Sequence, residues 1–404
     1  MKKNLPLLLR ILSIGLQLTY VKSYTHYLSV TELGYSFYLT ALSYAINALV
    51  LIPADFYQQA LLSAYYDRVF PLGSIISLNK KILSLAMALT TVLSIPICVA
   101  GKLNIFDVVL IFGLAVFLYF STSFRNYLNN RGHNLFTGWM LFLEAGLKIL
   151  SFMLLLAAGV PHVNAFVLST VIAFAVEVLC LAIFFYLKIP FTQCYTADIS
   201  FKSLFKTSSA VSFSAVCNWL QLQGYRIVYV WLGFPEIAGI YAAVSNLGIM
   251  GMNAASIVFS QMFLPKVYSS RGAYIIQYIK YAVLLCLVVL LGYIMLGKIL
   301  LLVLTKREFE PYARLMIFGV IVEAGNLLIG AASTYFTIRR KSFHLVLPNI
   351  AGVLCAGIGL SICLSWRPRN FYLLGLALMC SQLIVCALLF ERAKKDMKCE
   401  VVGA

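Results

Sequence analysis

Charge is scarce in this sequence. Only 11% of its 404 residues are Asp, Glu, Lys or Arg, and just 14 are acidic. Soluble domains are about one quarter charged, so the deficit excludes an ordinary water-soluble fold. No C-x-x-C pair occurs among the ten cysteines, and Cys98, Cys180, Cys286, Cys355 and Cys380 lie inside apolar runs, the placement expected of small core residues. No metal site, disulfide framework or cofactor is implied. The phosphate-cradling G-x-x-x-x-G-K-[ST] signature is absent too, which leaves no nucleotide-driven motor in the chain. Long polar loops are missing as well: none on the outer side exceeds roughly 15–20 residues, too little for an extracytoplasmic catalytic domain.

What is abundant is apolar residue. They make up 62% of the chain, and the mean hydropathy is +0.92, so the solvent of this protein is a bilayer. Apolar windows of spanning length fall at 6–28, 34–64, 82–100, 104–122, 135–158, 163–187, 208–233, 237–263, 274–296, 313–337, 343–364 and 371–391. They are continuous and lack the period-two alternation of barrel strands, so the expected fold class is an all-α polytopic membrane protein with about twelve transmembrane helices. Pro71-Leu72-Gly73 and Gly233-Phe234-Pro235 punctuate the windows. Met1-Lys2-Lys3 and the apolar stretch after it resemble a signal peptide, but no small-residue cleavage site follows, and the stretch reads as an uncleaved first span.

A net charge of +17 would suggest nucleic acid in a soluble protein; here the basic residues fall between apolar runs and set topology. Placing the N-terminus inside puts 20 of the 31 basic residues on the cytoplasmic side, Arg68, Arg125 and Arg131 among them. Both termini are then cytoplasmic. The Lys298 to Arg314 cluster runs against the rule.

Shifting the sequence by 204 residues lays Leu16-Gln17-Leu18 on Leu220-Gln221-Leu222, Lys22 on Arg226, Tyr27 on Trp231 and Glu32 on Glu236. A duplicated six-helix unit follows, with parallel repeats because six is even. The expected organisation is an N-terminal lobe at 1–191, a cytoplasmic linker at 192–206, a C-terminal lobe at 207–392 and a tail at 393–404.

Ionisable residues inside spans are expensive, at roughly 2.5–3.5 kcal/mol each on insertion scales, and are the candidate site residues. Lys22 and Arg226 occupy equivalent places in the repeats; they either line a central cleft suited to an anion or snorkel to the outer interface. Gln17 and Gln221 lie deeper and can donate to hydroxyl or phosphate oxygens. Arg10, seven residues before Gln17, either extends that polar stripe or anchors at the inner headgroups. Glu144 and Lys148 have the i, i+4 spacing of a structural ion pair. Glu177, Glu323 and Asp55 are candidates for ion or proton coupling, the alternative being neutral, hydrogen-bonded structural acids; Asp55 can also meet water or Arg68 near the inner end of its helix.

Leu28-Ser29-Val30-Thr31-Glu32-Leu33-Gly34, its counterpart Pro235-Glu236-Ile237-Ala238-Gly239-Ile240-Tyr241, and Arg307-Glu308-Phe309 with the later Arg339-Arg340-Lys341 stand in order on this duplicated frame. In that arrangement the chain resembles the multidrug/oligosaccharidyl-lipid/polysaccharide exporter superfamily, and within it the Wzx-type O-antigen flippases. The resemblance implies two six-helix lobes around a cavity in a bacterial cytoplasmic membrane. It also implies export of a polyprenyl-diphosphate-linked oligosaccharide by alternating access, with membrane lipid and polysaccharide polymerase machinery as partners and no nucleic acid. A drug or cation antiporter of the same superfamily would share the fold but favour an acidic cavity. A membrane polymerase or ligase would need the large outer loop that is missing.

Overall fold

The structure is a computed structural model, and it describes residues 5–64, 72–101, 103–188, 201–270, 274–339 and 341–402. In chain order the helices are α1 (Leu5–Tyr27), α2 (Val30–Ile46), α3 (Ile52–Ala64), α4 (Leu72–Val99), α5 (Ile105–Asn130), α6 (Asn134–Ala157), α7 (His162–Lys188), α8 (Phe201–Trp231), α9 (Pro235–Ser269), α10 (Ile275–Leu304), α11 (Leu315–Ile338), α12 (Val346–Trp366) and α13 (Phe371–Val402). A π-helical turn, Asn47–Leu51, fuses α2 to α3, so among the described residues twelve long helical runs stand where the apolar windows predict them. Ten of these, counted among the described residues, are long and apolar enough to cross a membrane. The two left out are α1 and α8, the pair that the internal repeat superimposes and that carries Gln17, Lys22, Gln221 and Arg226.

Local chemistry sets the helix ends. Ser29 and Glu32 form a reciprocal capping box, the Ser29 N–H donating to Glu32 Oε2 at 2.8 Å and the Glu32 N–H to Ser29 Oγ at 3.3 Å. At the matching place in the second half, Gly233 turns the chain at φ 84°, and Pro235 opens α9, where its missing N–H leaves no bond unmade. Both copies of the sequence segment that carries the family resemblance are therefore helix starts. α1 ends at Tyr27 and α8 at Trp231, 204 residues apart, the offset of the sequence repeat. The π-turn has a cause in Pro53: a proline cannot donate to the carbonyl four residues back, at Leu49, and the ladder slips to the five-residue bond from the Ile52 N–H to the Asn47 carbonyl.

The chain divides into two compact units, one of Met1–Leu28 with Tyr35–Val216, the other of Ser29–Gly34 with Cys217–Ala404. This division runs inside α8, whereas the sequence reading puts a linker at 192–206; residues 189–200 lie outside the described residues. Helix α13 continues through Val402, so the expected tail from 393 begins as helix.

In the first unit Tyr127, Leu128, Leu181 and Phe185 pack together, with Phe136 stacked on Phe184 at 3.8 Å between ring centres. In the second, Tyr335, Phe336, Val385 and Leu389 form the centre of a larger cluster. Helices α9 and α11 approach most closely where glycines face backbone: a Cβ at Gly248 would stand 2.1 Å from the Met316 carbonyl oxygen, and one at Gly319 would stand 1.9 Å from that of Ser245. Outward faces are apolar, as in α10, where Val288, Leu291, Ile294 and Met295 are exposed. A helix that buries polar groups and shows aliphatic ones is solvated by lipid. The protein is an all-α, multi-pass membrane protein.

Candidate functional site

Helix α5 organises the polar interior of the first unit. Residues four apart on a helix differ in direction by about 40° and residues two apart by about 200°, so Tyr119 with Ser123, and Ser121 with Arg125, form two stripes on opposite sides. The first stripe meets α3 and α4. Ser123 donates to Asp55 Oδ1 at 2.5 Å and Gln59 Nε2 to the same oxygen at 3.3 Å. Tyr119 donates to Asn79 Oδ1 at 2.7 Å, and Gln58 Nε2 donates to both at 2.8 Å. Asp55 is thus held by a buried hydroxyl and an amide. Arg68, its sequence-expected partner, lies outside the described residues.

The second stripe meets α6 and α7 in a buried charge cluster. Arg125 Nη1 lies 2.7 Å from Glu144 Oε2 and 3.1 Å from Glu177 Oε1. Lys148 Nζ is 2.5 Å from Glu144 Oε1 and 4.3 Å from the centre of the Phe174 ring. Ser121 donates to Glu177 Oε2 at 2.6 Å. Two cations and two carboxylates compensate one another, and every carboxylate oxygen has a partner, the condition under which buried ions persist. Sequence reading pairs Glu144 with Lys148 and gives Glu177 no neighbour; the structure supplies Arg125, which positive-inside counting assigns to a cytoplasmic loop. Arg10 of α1 is half-buried, near enough to Arg125 for the two guanidinium charges to repel, and its Nε is shielded without an acceptor among the described residues.

Where α8, α12 and α13 pack in the second unit, amides take the place that ions hold in the first. Gln221 is 1% exposed; its Nε2 donates to the Asn349 carbonyl at 3.4 Å and its Oε1 accepts from Gln382 Nε2 at 3.3 Å. Gln382 also donates to Asn218 at 3.4 Å. Amides from α8, α12 and α13 therefore interlock in the core. Glu323 of α11 is partly buried and accepts from Asn326 Nδ2 at 3.0 Å.

Lys22 and Arg226, equivalent by repeat, are placed differently. Arg226 is 5% exposed, with Nε donating to the Tyr225 hydroxyl at 3.1 Å and Nη2 to Asn246 Oδ1 at 3.4 Å. Lys22 is exposed, and Gln17 is partly buried. Burying a guanidinium asks for several acceptors and an aromatic face; the second unit has Tyr225, packed edge-on to Tyr241 at 5.3 Å. At the Lys22 position of the first unit the preceding residue is Val21, with no hydroxyl to offer. Among the described residues no three His, Cys, Asp or Glu side chains converge in a way that could hold a metal.

No protein-family model and no curated protein sequence matches this chain. Solved structures do match in shape. The lipid II flippase MurJ, in an inward closed conformation, aligns with a TM-score of 0.68 at 13% identity, over 97% of this chain and 87% of that one. The MATE multidrug transporter DinF-BH aligns with a TM-score of 0.65 at 14% identity, over 96% and 93%. Vibrio cholerae MATE transporter VcmN in its bent form gives 0.55 at 13% identity, over 96% and 95%. At such identities the likeness is one of fold, and the fold of this chain is of the type seen in this flippase and these transporters.

Proposed function

We propose that the protein is a flippase of the Wzx kind, carrying polyprenyl-diphosphate-linked repeat units of O-antigen or a related surface polysaccharide. They would pass from the inner to the outer leaflet of a bacterial cytoplasmic membrane by alternating access. The observation that carries this reading is the full-length likeness in shape to a lipid II flippase, joined to the charge of α1 and α8, which carry Arg10, Lys22 and Arg226 and no Asp or Glu. A diphosphate head is recognised by guanidinium and ammonium groups through charge-assisted hydrogen bonds, and its lipid tail needs no binding energy in a bilayer. Lys22 and Arg226, with Gln17, Gln221 and Arg10, are the proposed head-binding groups. Glu177, Glu323 and Asp55 are the acids available for coupling to an ion gradient; of the three, Glu323 and Asp55 have no cation within ion-pairing distance among the described residues, while Glu177 meets Arg125.

The test is complementation of strains lacking the flippase or the polymerase of a surface glycan. The expected outcome is restored surface glycan in the flippase-null strain only, with lipid-linked repeat units no longer accumulating on the inner leaflet. Rescue of the polymerase-null strain, or efflux of a cationic dye with no glycan phenotype, overturns the assignment. Within the rescued strain, Lys22→Ala should lower surface glycan about tenfold at unchanged protein level, because Lys22 is exposed and holds no part of the core. Arg226→Lys, which keeps the charge, should retain more activity than Arg226→Gln.

A further inference from the structure

Where α12 turns into α13, the segment Arg367-Pro368-Arg369-Asn370 forms, with Phe234 and Tyr372, an open pocket of about 700 Å³. Arg367 and Arg369 are exposed, and the Arg369 guanidinium lies over the Phe234 ring at 6.0 Å from its centre. Asn370 Oδ1 accepts the first free N–H groups of α13, from Tyr372 at 3.0 Å and Leu373 at 3.2 Å. Among the described residues no carboxylate lines this pocket.

Adjoining it, α12 and α13 enclose a groove of about 620 Å³ walled by Leu354, Ile358, Ile362, Leu376, Cys380 and Ile384, with no polar side chain in its lining. Its floor is shallow because Gly359 faces Ala377: a Cβ added there would stand 2.6 Å from the Ala377 Cβ. Groove and pocket join within a turn of helix. Cys363 lines the groove, and its Sγ contacts the carbonyls of Arg367 and Asn370 at 3.8 and 3.7 Å. From Ala351 to Ile362 the groove runs about 16 Å along the helix, half of the roughly 30 Å hydrocarbon core. Tyr372 lines the pocket and Trp366, 80% exposed, ends α12 next to Arg367, the placement of aromatic side chains at headgroup level.

We propose that this groove and its two-arginine mouth bind one anionic glycerophospholipid of the adjacent leaflet, the phosphate on Arg367 and Arg369 and an acyl chain between α12 and α13. The half-bilayer length selects the occupant. A helix of another chain would overrun the groove and a long polyprenyl chain would outlast it, while a peptide would find no backbone partner in an aliphatic wall. The site is separate from the proposed head-binding residues, so its test does not depend on transport.

Purified full-length protein, analysed by native mass spectrometry with equal dioleoylphosphatidylglycerol and dioleoylphosphatidylcholine, should retain one phosphatidylglycerol in preference by roughly tenfold. The double variant Arg367→Gln/Arg369→Gln should lose that preference. Cys380→Trp and Leu354→Trp, both at exposed positions in the groove wall, should each lower retention of both lipids, with size-exclusion profiles confirming intact protein. Equal retention of the two lipids by the wild type, or wild-type retention by the arginine variant or by both groove variants, overturns the proposal.

Discussion

Arg125 is 19 residues from Glu144 and 52 from Glu177 in sequence, yet its guanidinium bridges them. Removing it leaves Glu177 with Ser121 as its only partner from α5 and no cation in contact among the described residues. Breaking a buried pair from one side costs about 3–5 kcal/mol, whereas removing both partners can be nearly neutral. Arg125→Leu should therefore lower the thermal unfolding midpoint in detergent sharply, and Arg125→Leu with Glu177→Leu should recover most of the loss; a double variant no more stable than the single would refute the pairing. At the surface the Lys298 ammonium, 2.8 Å from Glu310, donates to that carboxylate and holds it below the usual carboxylate range, mainly through the hydrogen bond and its charge. A depressed acid contributes stability that is present at neutral pH and is lost as pH falls through its lowered range. The difference in unfolding midpoint between wild type and Lys298→Ala should shrink and vanish on acidification. Glu310 and Glu308 also offset two of the four cations in the Lys298 to Arg314 cluster that runs against the positive-inside rule. Of the buried quartet, sequence shows the i, i+4 pair Glu144 and Lys148 but not Arg125. A count of loop cations does not separate an arginine that ends a helix in water from one that folds back onto acids two helices away.

At the scale of helices, the α9–α11 crossing rests on Gly248 and Gly319 set against opposing carbonyls. Gly319→Leu should abolish accumulation of folded protein, while Gly330→Leu, on the same helix with open space around its added Cβ, should be tolerated; fluorescence-detected size exclusion separates the two. The number and places of the long helices are legible because lipid imposes continuous apolar runs, and both copies of the Ser-x-x-Glu and Pro-Glu segments mark where helices begin. The π-turn is not legible as such, although its agent, Pro53, is in plain view: proline says the ladder breaks, not whether the chain kinks, stops or widens by one residue. The polar reach of α5 is likewise hidden, since its two stripes acquire meaning only from what α3, α4, α6 and α7 bring against them.

For the whole molecule, topology is the open expectation that charge asymmetry makes sharpest. An alkaline phosphatase fused after residue 404 should be inactive and a green fluorescent protein fused there bright, placing the C-terminus in the cytoplasm; the reverse would invert every loop. Fold class is readable because a bilayer permits so few architectures, and the 204-residue offset carries through to helix ends at Tyr27 and Trp231. The repeat does not carry through to side chains. Lys22 and Arg226 share a register and not an environment, because Tyr225 and Asn246 serve Arg226 while Val21 stands where a tyrosine would be needed.

The buried quartet also constrains how the protein is made. Helix α6 brings its own balanced pair, but α5 carries Arg125 and α7 carries Glu177, opposite charges that meet only after a whole helix has been synthesised between them. Neither can settle alone in hydrocarbon without exposing an ion to it. Their pairing favours partitioning of α5, α6 and α7 together, as one neutral package, over entry of α5 alone.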